Sequence, residues 1–131
     1  ISIINQDFAQ MFAQESVMEK KQLEPVEIIR GEMGTWTHPV YSSYVSENLD
    51  GKEYISRDEW DQLKNHFNIQ TVTYWMEGHV NPDEWEKMMD ACDISTWDPI
   101  APCGFFLIDI HFGEDDAYAL FARNKREIEV A

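Results

Sequence analysis

Residues 104–124, with the sequence GFFLIDIHFGEDDAYALFARN, dictate more about the fold than any other segment of the chain. From Phe106 to Phe112 apolar residues recur at every second position, which is the period of a β-strand. Four turn-forming residues follow at 113–116, and residues 117–123 return as a second strand of aromatic and small apolar side chains. We therefore predict a long antiparallel hairpin. Its inward face would carry Phe106, Ile108, Ile110 and Phe112.

The clearest helix start lies at Ser56. Ser56 and Glu59 have the spacing of a capping box, and Ile55 and Trp60 have that of the hydrophobic staple that accompanies it. The apolar residues that follow recur on one helix face. The sequence therefore predicts a helix that begins after Ser56 and ends near Asn68.

A second helix start of the same kind lies at Asn81. Asn81 is the predicted cap, Pro82 occupies the first helical position, and Val80 staples onto Trp85. The spacing of the following residues predicts an inward face made of Trp85, Met88, Met89 and Cys92.

The remaining segments are assigned from their strand and turn composition. Residues 26–30 are β-branched and are predicted to pair with residues 35–37 across a turn, as a first hairpin. Residues 70–76 alternate as a middle strand between the two helices. Residues 41–51 are polar and rich in serine, so we predict a connection. Residues 93–103 contain prolines and are predicted as an ordered loop.

Together these elements predict an α+β domain over residues 25–131. Its sheet has about five strands, is largely antiparallel, and consists of two hairpins plus a middle strand with both capped helices on one face. Residues 1–24 are predicted as an N-terminal helical arm, because apolar residues recur there every three to four positions. The arm either covers the sheet or forms a homodimer with a second copy.

Composition limits the classes of partner. Twenty-five acidic residues against ten basic ones give the 131-residue chain a net charge of −15. Nucleic acids and anionic membranes are recognised by clustered Lys and Arg, so neither is expected as a direct partner. No apolar run approaches the roughly 20 residues that span a bilayer. Without a secretory signal, and with Cys92 and Cys103 expected as buried or half-buried thiols, we predict a cytoplasmic protein.

The acidic surplus is concentrated in residues 77–98, where seven acids stand against Lys87 alone, a net charge of −6. One interpretation is a solvated helix face whose first-turn acids favour the helix dipole. The alternative is a negative surface that steers towards a basic protein. The residues that we predict to face such a partner are Glu77, Asp83, Glu86, Asp90, Asp109 and His111.

The candidates for chemistry are few. Asp109 and His111 share a strand face, and such a pair can orient a base or bind a metal, with Cys103 as a third group. A polar pair on a half-exposed strand is the simpler interpretation. The four histidines lack zinc-site spacing, and no nucleophile or phosphate-loop motif occurs. We therefore assign no catalytic residue, no metal ligand and no cofactor.

A further set of motifs carries a resemblance. They are PVEIIR at 25–30, GTWTHP at 34–39, WDP at 97–99, GFFLI at 104–108 and FAR at 121–123. Over most of residues 25–124 the chain resembles short proteins encoded by tailed bacteriophages and prophages of enteric bacteria. The resemblance implies an accessory phage gene acting in a bacterial cytoplasm, and it carries over no catalytic residue.

These observations lead to three functional hypotheses. The first is a small, non-enzymatic interaction protein that binds a host or phage protein, since five Trp, five Tyr and seven Phe leave aromatic surface suited to interfaces. The second is a nucleic-acid mimic that inhibits a basic host DNA-binding protein. The third is a small enzyme or metal-binding protein that uses Asp109, His111 and Cys103.

Overall fold

The computed structural model describes residues 22–49 and 55–125, which form one four-stranded antiparallel sheet and three α-helices. The strands are β1 Trp36–Thr37, β2 Ile69–Trp75, β3 Phe106–Phe112 and β4 Ala117–Asn124. The helices are α1 Pro39–Asn48, α2 Arg57–Phe67 and α3 Pro82–Ala91, and a 3₁₀ turn spans Met76–Gly78. The strand order is β1-β3-β4-β2. Most of the predicted N-terminal arm lies outside the described residues.

The C-terminal hairpin is confirmed, but β3 contains a β-bulge. Leu107 pairs with Phe121, whereas Asp109 pairs with Leu120, so that Ile108 is an extra residue in the ladder. A bulge of this kind reverses the alternation of side chains between the two faces of the sheet. The even-numbered residues of β3 up to Ile108 therefore lie on the same face of the sheet as the odd-numbered residues from Asp109 onwards.

The sheet is covered on both faces by two separate cores. Phe106 and Ile108 pack in the first core, and Ile110 and Phe112 pack in the second, so the prediction that all four share one face was wrong. The first core contains Leu23, Tyr41, Leu49, Leu63, Phe67, Ile69, Ile108, Leu120 and Ala122. The second contains Met76, Met88, Ile94, Trp97, Ile110, Ala117, Ala119 and Phe121.

The two capped helices form as predicted, but they lie on opposite faces of the sheet. Leu63 and Phe67 of α2 pack in the first core, whereas Met88 of α3 packs in the second. Their placement on a single face was therefore wrong. The two helices are joined through the edge strand β2. The chain enters β2 from α2 on one face of the sheet and leaves it towards α3 on the other face.

The predicted caps are present. The Ser56 hydroxyl accepts the Glu59 amide at 3.1 Å, and the Glu59 carboxylate accepts the Ser56 amide at 2.9 Å. Helix α2 ends at Asn68 in the left-handed region, with φ of 56°. The Asn81 side chain accepts the Glu84 amide at 2.9 Å. The inward placement of Cys92 was wrong, because it is the exposed C-cap of α3; Cys103 is exposed as well.

Helix α1 occupies a segment that was predicted as a connection, and this prediction was wrong. His38 caps it: His38 Nδ1 accepts the Val40 amide at 3.1 Å, and His38 Nε2 donates to the Glu24 carbonyl at 2.7 Å. Its inward side chains recur at helical spacing, although three serines on the outer face hide the pattern. These inward residues are Val40, Tyr41, Tyr44, Val45 and Leu49.

The predicted first hairpin does not form, which reduces the strand count from about five to four. Residues 26–30 are not a strand, and β1 pairs with β3 instead. The Arg30 guanidinium anchors this segment by donating to the carbonyl oxygens of Gly34, Trp97 and Ile94 at 2.7, 2.6 and 2.7 Å. Because these bonds run to the 94–97 loop, residues 26–30 are held away from β1.

The segment that precedes this region is tied to the end of the sheet. Leu23 is fully buried, and its carbonyl accepts the Asn124 side-chain amide at 3.1 Å. The Gln22 side chain donates to Asn124 at 2.9 Å. Residues 22–24, which we had assigned to the arm, thus contact the domain. Across the described ranges, no helix has the length and apolar character needed to cross a membrane.

Candidate functional site

A groove of about 390 Å³ opens where the end of β2, the start of α3 and the loop at 96–100 meet. Each wall has a different chemistry. The residues that carry the argument below are Tyr74, His79, Glu84, Trp97, Asp98 and Ile100.

The first wall is a stacked pair of rings. Tyr74 and His79 have ring centroids 4.4 Å apart and planes inclined by only 19°. His79 Nδ1 donates to the Trp75 carbonyl at 3.0 Å, and the Tyr74 ring also contacts Phe121 edge-on at 5.2 Å. Because both rings have a second contact, they form a preorganised aromatic platform.

The floor and the opposite rim are apolar. Trp97 and Met88 belong to the second core and close the floor, and the Thr96 hydroxyl donates to the Met88 sulfur at 3.6 Å. Ile100, at the rim, is 82% exposed. An aliphatic side chain this exposed beside an aromatic platform is typical of a surface that gains from being covered.

The charged residues of the groove are acidic. Glu84 and Asp98 line it and are exposed, while no Lys or Arg among the described residues lines it. On the same helix as Glu84, the acids at positions 83, 86 and 90 are all exposed, and their spacings of three and four place them on one helix face. Four of the predicted partner-facing residues are exposed: Asp83, Glu86 and Asp90 on α3, and Glu77 in the 3₁₀ turn that precedes it.

Arg30, which interacts electrostatically with Asp98 at the groove, is engaged by the fold. Arg30 lies close enough to Asp98 and Asp93 for these acids to raise its pKa, although burial lowers that pKa by more. Its guanidinium donates to three carbonyl oxygens of the fold. It therefore offsets part of the charge of Asp98, although Arg30 is not one of the residues that line the groove.

Asp109 is buried and does not face a partner, so that part of the prediction was wrong. Its carboxylate accepts the Thr37 hydroxyl at 3.1 Å and the Tyr118 hydroxyl at 2.9 Å. Burial raises the pKa of Asp109, against the opposing effect of these two bonds and of nearby His111. Burial and then the Asp109 charge raise the pKa of Tyr118 and of Tyr41. This cluster, on the first-core face, is a bonded polar centre within the fold.

The three residues of the enzyme hypothesis differ in burial: Asp109 is buried, whereas His111 and Cys103 are exposed. His111 is exposed on the same face as Asp109, and Cys103 is exposed in the turn that precedes β3. Within residues 22–49 and 55–125, no group of three or more His, Cys, Asp or Glu side chains is placed to hold a metal ion.

Sequence reasoning missed the role of Asp116, which we had considered only as part of an acidic turn. Its Oδ1 accepts the Trp85 indole N–H at 2.8 Å and the Ala117 amide at 2.7 Å, and its carboxylate also accepts the Glu77 amide. The β3–β4 turn is thereby fastened to α3 beside the groove. The groove itself was also missed; Ile100, an apolar residue next to Pro99 in a polar loop, was the available signal.

Comparisons with known proteins add no assignment: no family model, no curated protein and no solved structure matches the chain.

Proposed function

We propose that this protein is a non-enzymatic interaction protein that binds a basic segment of another protein in the groove between Tyr74, Glu84 and Ile100. One observation carries the proposal: an aromatic platform and an exposed aliphatic rim stand beside two carboxylates, and the described residues that line the groove include no Lys or Arg. That combination matches a long cationic side chain, whose stem is apolar and whose head is charged.

The binding mode follows from the geometry of the walls. The stem of a Lys or Arg packs along Tyr74 and Ile100, and its head group pairs with Glu84 or Asp98 while it remains near the face of the aromatic platform. The volume of about 390 Å³ accommodates one or two side chains and not a folded domain. The acidic face of α3 then acts at longer range, by steering a positively charged surface towards the groove.

The nature of the partner is inferred from charge and from the phage-protein resemblance. A host or phage protein in the bacterial cytoplasm fits both. The net charge of −15 opposes direct contact with nucleic acid.

Peptide binding tests this function. Short peptides that differ only in a central Lys, Arg, norleucine or Glu would be titrated against the full chain, with tryptophan fluorescence and amide chemical shifts as readouts. We expect the Lys and Arg peptides to bind, the norleucine peptide to bind weakly and the Glu peptide not to bind. Added salt should weaken binding of the basic peptides, because part of the attraction is between charges at the surface.

A matched pair of variants separates a local contact from the overall charge. Glu84→Gln and Glu47→Gln each remove one negative charge, but Glu47 is an exposed residue of α1 outside this groove. Glu84→Gln should weaken binding of the Lys peptide about three- to tenfold, whereas Glu47→Gln should change it less than twofold. Equal effects of the two variants, or equal binding of the Lys and norleucine peptides, would contradict a specific site.

The nucleic-acid-mimic hypothesis retains one supporting observation, the row of acids at positions 83, 86 and 90 on one face of α3. It predicts that the protein competes with duplex DNA for a basic DNA-binding protein, and that neutralising this row abolishes the competition. In the peptide-groove proposal the same triple variant slows association and leaves the bound contacts in place.

A further inference from the structure

Within the described ranges, strand β2 forms one edge of the sheet and lacks the usual protection of an edge. It pairs with β4 over seven consecutive residues without a bulge, and no strand of residues 22–49 or 55–125 lies on its other side. Its sequence, IQTVTYW, contains no charged residue and no proline. Natural edge strands are commonly shortened, bulged, charged or covered, because an open edge pairs with other strands. An unprotected edge of this kind therefore indicates that β2 pairs with a strand of another molecule.

The main-chain groups available for pairing can be identified. The Lys125 amide donates to the Asn68 carbonyl at 3.0 Å, which continues the ladder between β2 and β4. Because the bonds of an antiparallel pair alternate, the even-numbered residues of β2 face β4 and the odd-numbered ones face outward. Ile69 is fully buried, and the Trp75 carbonyl accepts His79. The outward-facing groups at Thr71 and Thr73 have no hydrogen-bond partner within the described part of the chain.

We propose that β2 is a self-association edge, at which two copies of this chain pair their β2 strands antiparallel about a two-fold axis at Val72. In this register Thr71 of one copy lies opposite Thr73 of the other, and the two pairs exchange four main-chain hydrogen bonds. The two four-stranded sheets become one continuous sheet of eight strands.

Charge complementarity selects a second copy of this chain as the occupant. The Ile69 end of β2 has a net positive charge, since Lys64, Lys125 and Asp61 line a hollow together with Ile69, and the salt bridge of Lys64 to Asp61 at 3.7 Å leaves the charge of Lys125. The Trp75 end is acidic, since Glu77 follows it closely and the β3–β4 turn, with Glu114 and Asp115, packs near the Trp75 ring. Antiparallel two-fold pairing brings the basic end of each copy to the acidic end of the other. Because β2 contains no charged residue, the pairing places no like charges opposite each other at the two-fold axis.

The test measures the dissociation constant of the full chain by sedimentation velocity over a wide concentration range. It also follows hydrogen exchange at the Thr71 and Thr73 amides. We expect a dimer, with protection of these two amides that rises with protein concentration. Thr73→Pro removes an outward-facing N–H and should weaken the dimer at least about tenfold, because the two-fold axis doubles each loss. Thr73→Val retains the N–H and should change the constant less than about threefold.

Charge reversal provides a second measure that does not depend on proline. Lys125→Glu should weaken the dimer, and Lys125→Glu combined with Glu77→Lys should restore it, because the antiparallel arrangement brings the end of one copy that carries Lys125 to the end of the other that carries Glu77. A protein that is monomeric at every concentration overturns the proposal. So does a dimer that Thr73→Pro and charge reversal leave unchanged, which is the result that pairing through residues 1–24 predicts.

Discussion

At the scale of single residues, Asp109 is the one acidic side chain that is buried within the part of the chain that the structure describes. It accepts hydrogen bonds from Thr37 and Tyr118, but burial outweighs them and raises its pKa. The folded state therefore holds the Asp109 proton more tightly than the unfolded chain does. Its contribution to stability is full below the unfolded pKa of about 3.9 and is lost as pH rises through the higher pKa of the folded state.

Asp109→Asn tests this assignment, because it keeps an oxygen acceptor and removes the charge. We expect the free energy of unfolding of the variant, relative to the unmodified protein, to increase as pH rises through the folded pKa of Asp109. Urea unfolding at a series of pH values from about 3.5 upwards measures the difference. A difference that does not vary with pH would show that Asp109 titrates alike in both states.

Gly34 is a second residue whose environment determines its identity. Its φ is +88°, and an added Cβ would lie 2.4 Å from the Ser95 amide nitrogen. Gly34→Ala should therefore lower the free energy of unfolding by about 2 kcal/mol or more, because both the backbone and the 94–97 loop would be strained.

Gly31→Ala is the control for this change. It lies in the same turn, and its nearest contact would be the Thr35 carbonyl at 3.7 Å. We expect thermal or urea unfolding to register less than about 0.5 kcal/mol for it. If both variants lost the same stability, the contact of Gly34 with Ser95 would not be the cause.

Sequence reasoning identified Gly34 only as a turn residue. The close approach involves Ser95, which is 61 positions away in the chain. Asp109 was likewise expected at the surface. It is buried by neighbours from β4 and α1, which are distant from it in the sequence. Both are long-range packing effects, which a local pattern does not contain.

At the scale of elements, Asp116 couples three parts of the second-core side. Its carboxylate accepts the Trp85 indole of α3 and the amides of Ala117 and Glu77. Asp116→Ala should lower the free energy of unfolding by about 2 kcal/mol, since several donors lose a charged acceptor at once. It should also shift the fluorescence of Trp85, which loses its hydrogen bond.

The neighbouring Asp115 provides the comparison. It is exposed in the same turn, and Asp115→Ala removes the same charge. Chemical unfolding should show a change within about 0.5 kcal/mol. A similar loss for both variants would point to turn propensity and away from the contacts of Asp116.

Elements with strong local signals were predictable. The caps at Ser56 and Asn81 fixed the starts of α2 and α3, because capping depends on residues within one turn. Residues 26–30 were predicted as a strand from β-branched composition, but a strand needs a partner, and Arg30 holds this segment against the 94–97 loop instead. Helix α1 was missed because serine content was given more weight than apolar spacing.

At the scale of the whole molecule, the net charge of −15 opposes compactness. Potassium chloride should raise the melting temperature over the first ~0.2 M, because the Debye length falls below about 10 Å in that range. A variant with Asp83→Asn, Glu86→Gln and Asp90→Asn should gain less from the same salt. If the melting temperatures of both proteins did not change with salt concentration, the acidic residues would be too far apart to repel one another.

The overall architecture was predictable only in part. The α+β class and the antiparallel hairpin followed from periodicity. The distribution of the β3 side chains between the two cores did not, because it depends on the extra residue at Ile108, which periodicity cannot locate when Phe106, Ile108, Ile110 and Phe112 are all apolar. The groove was beyond prediction for a related reason, since β2, α3 and the loop at 96–100 meet only after both faces are covered.

Because of the bulge, the number of residues in β3 cannot change without altering which side chains face each core. Removing Ile108 would bring the two halves of the strand into phase. Either Phe106 and Leu107 would exchange sides, or Asp109 would turn away from Thr37 and Tyr118. Chains that share this architecture can thus replace side chains along the strand, but an insertion or deletion of one position there would be equivalent to turning half of the strand over.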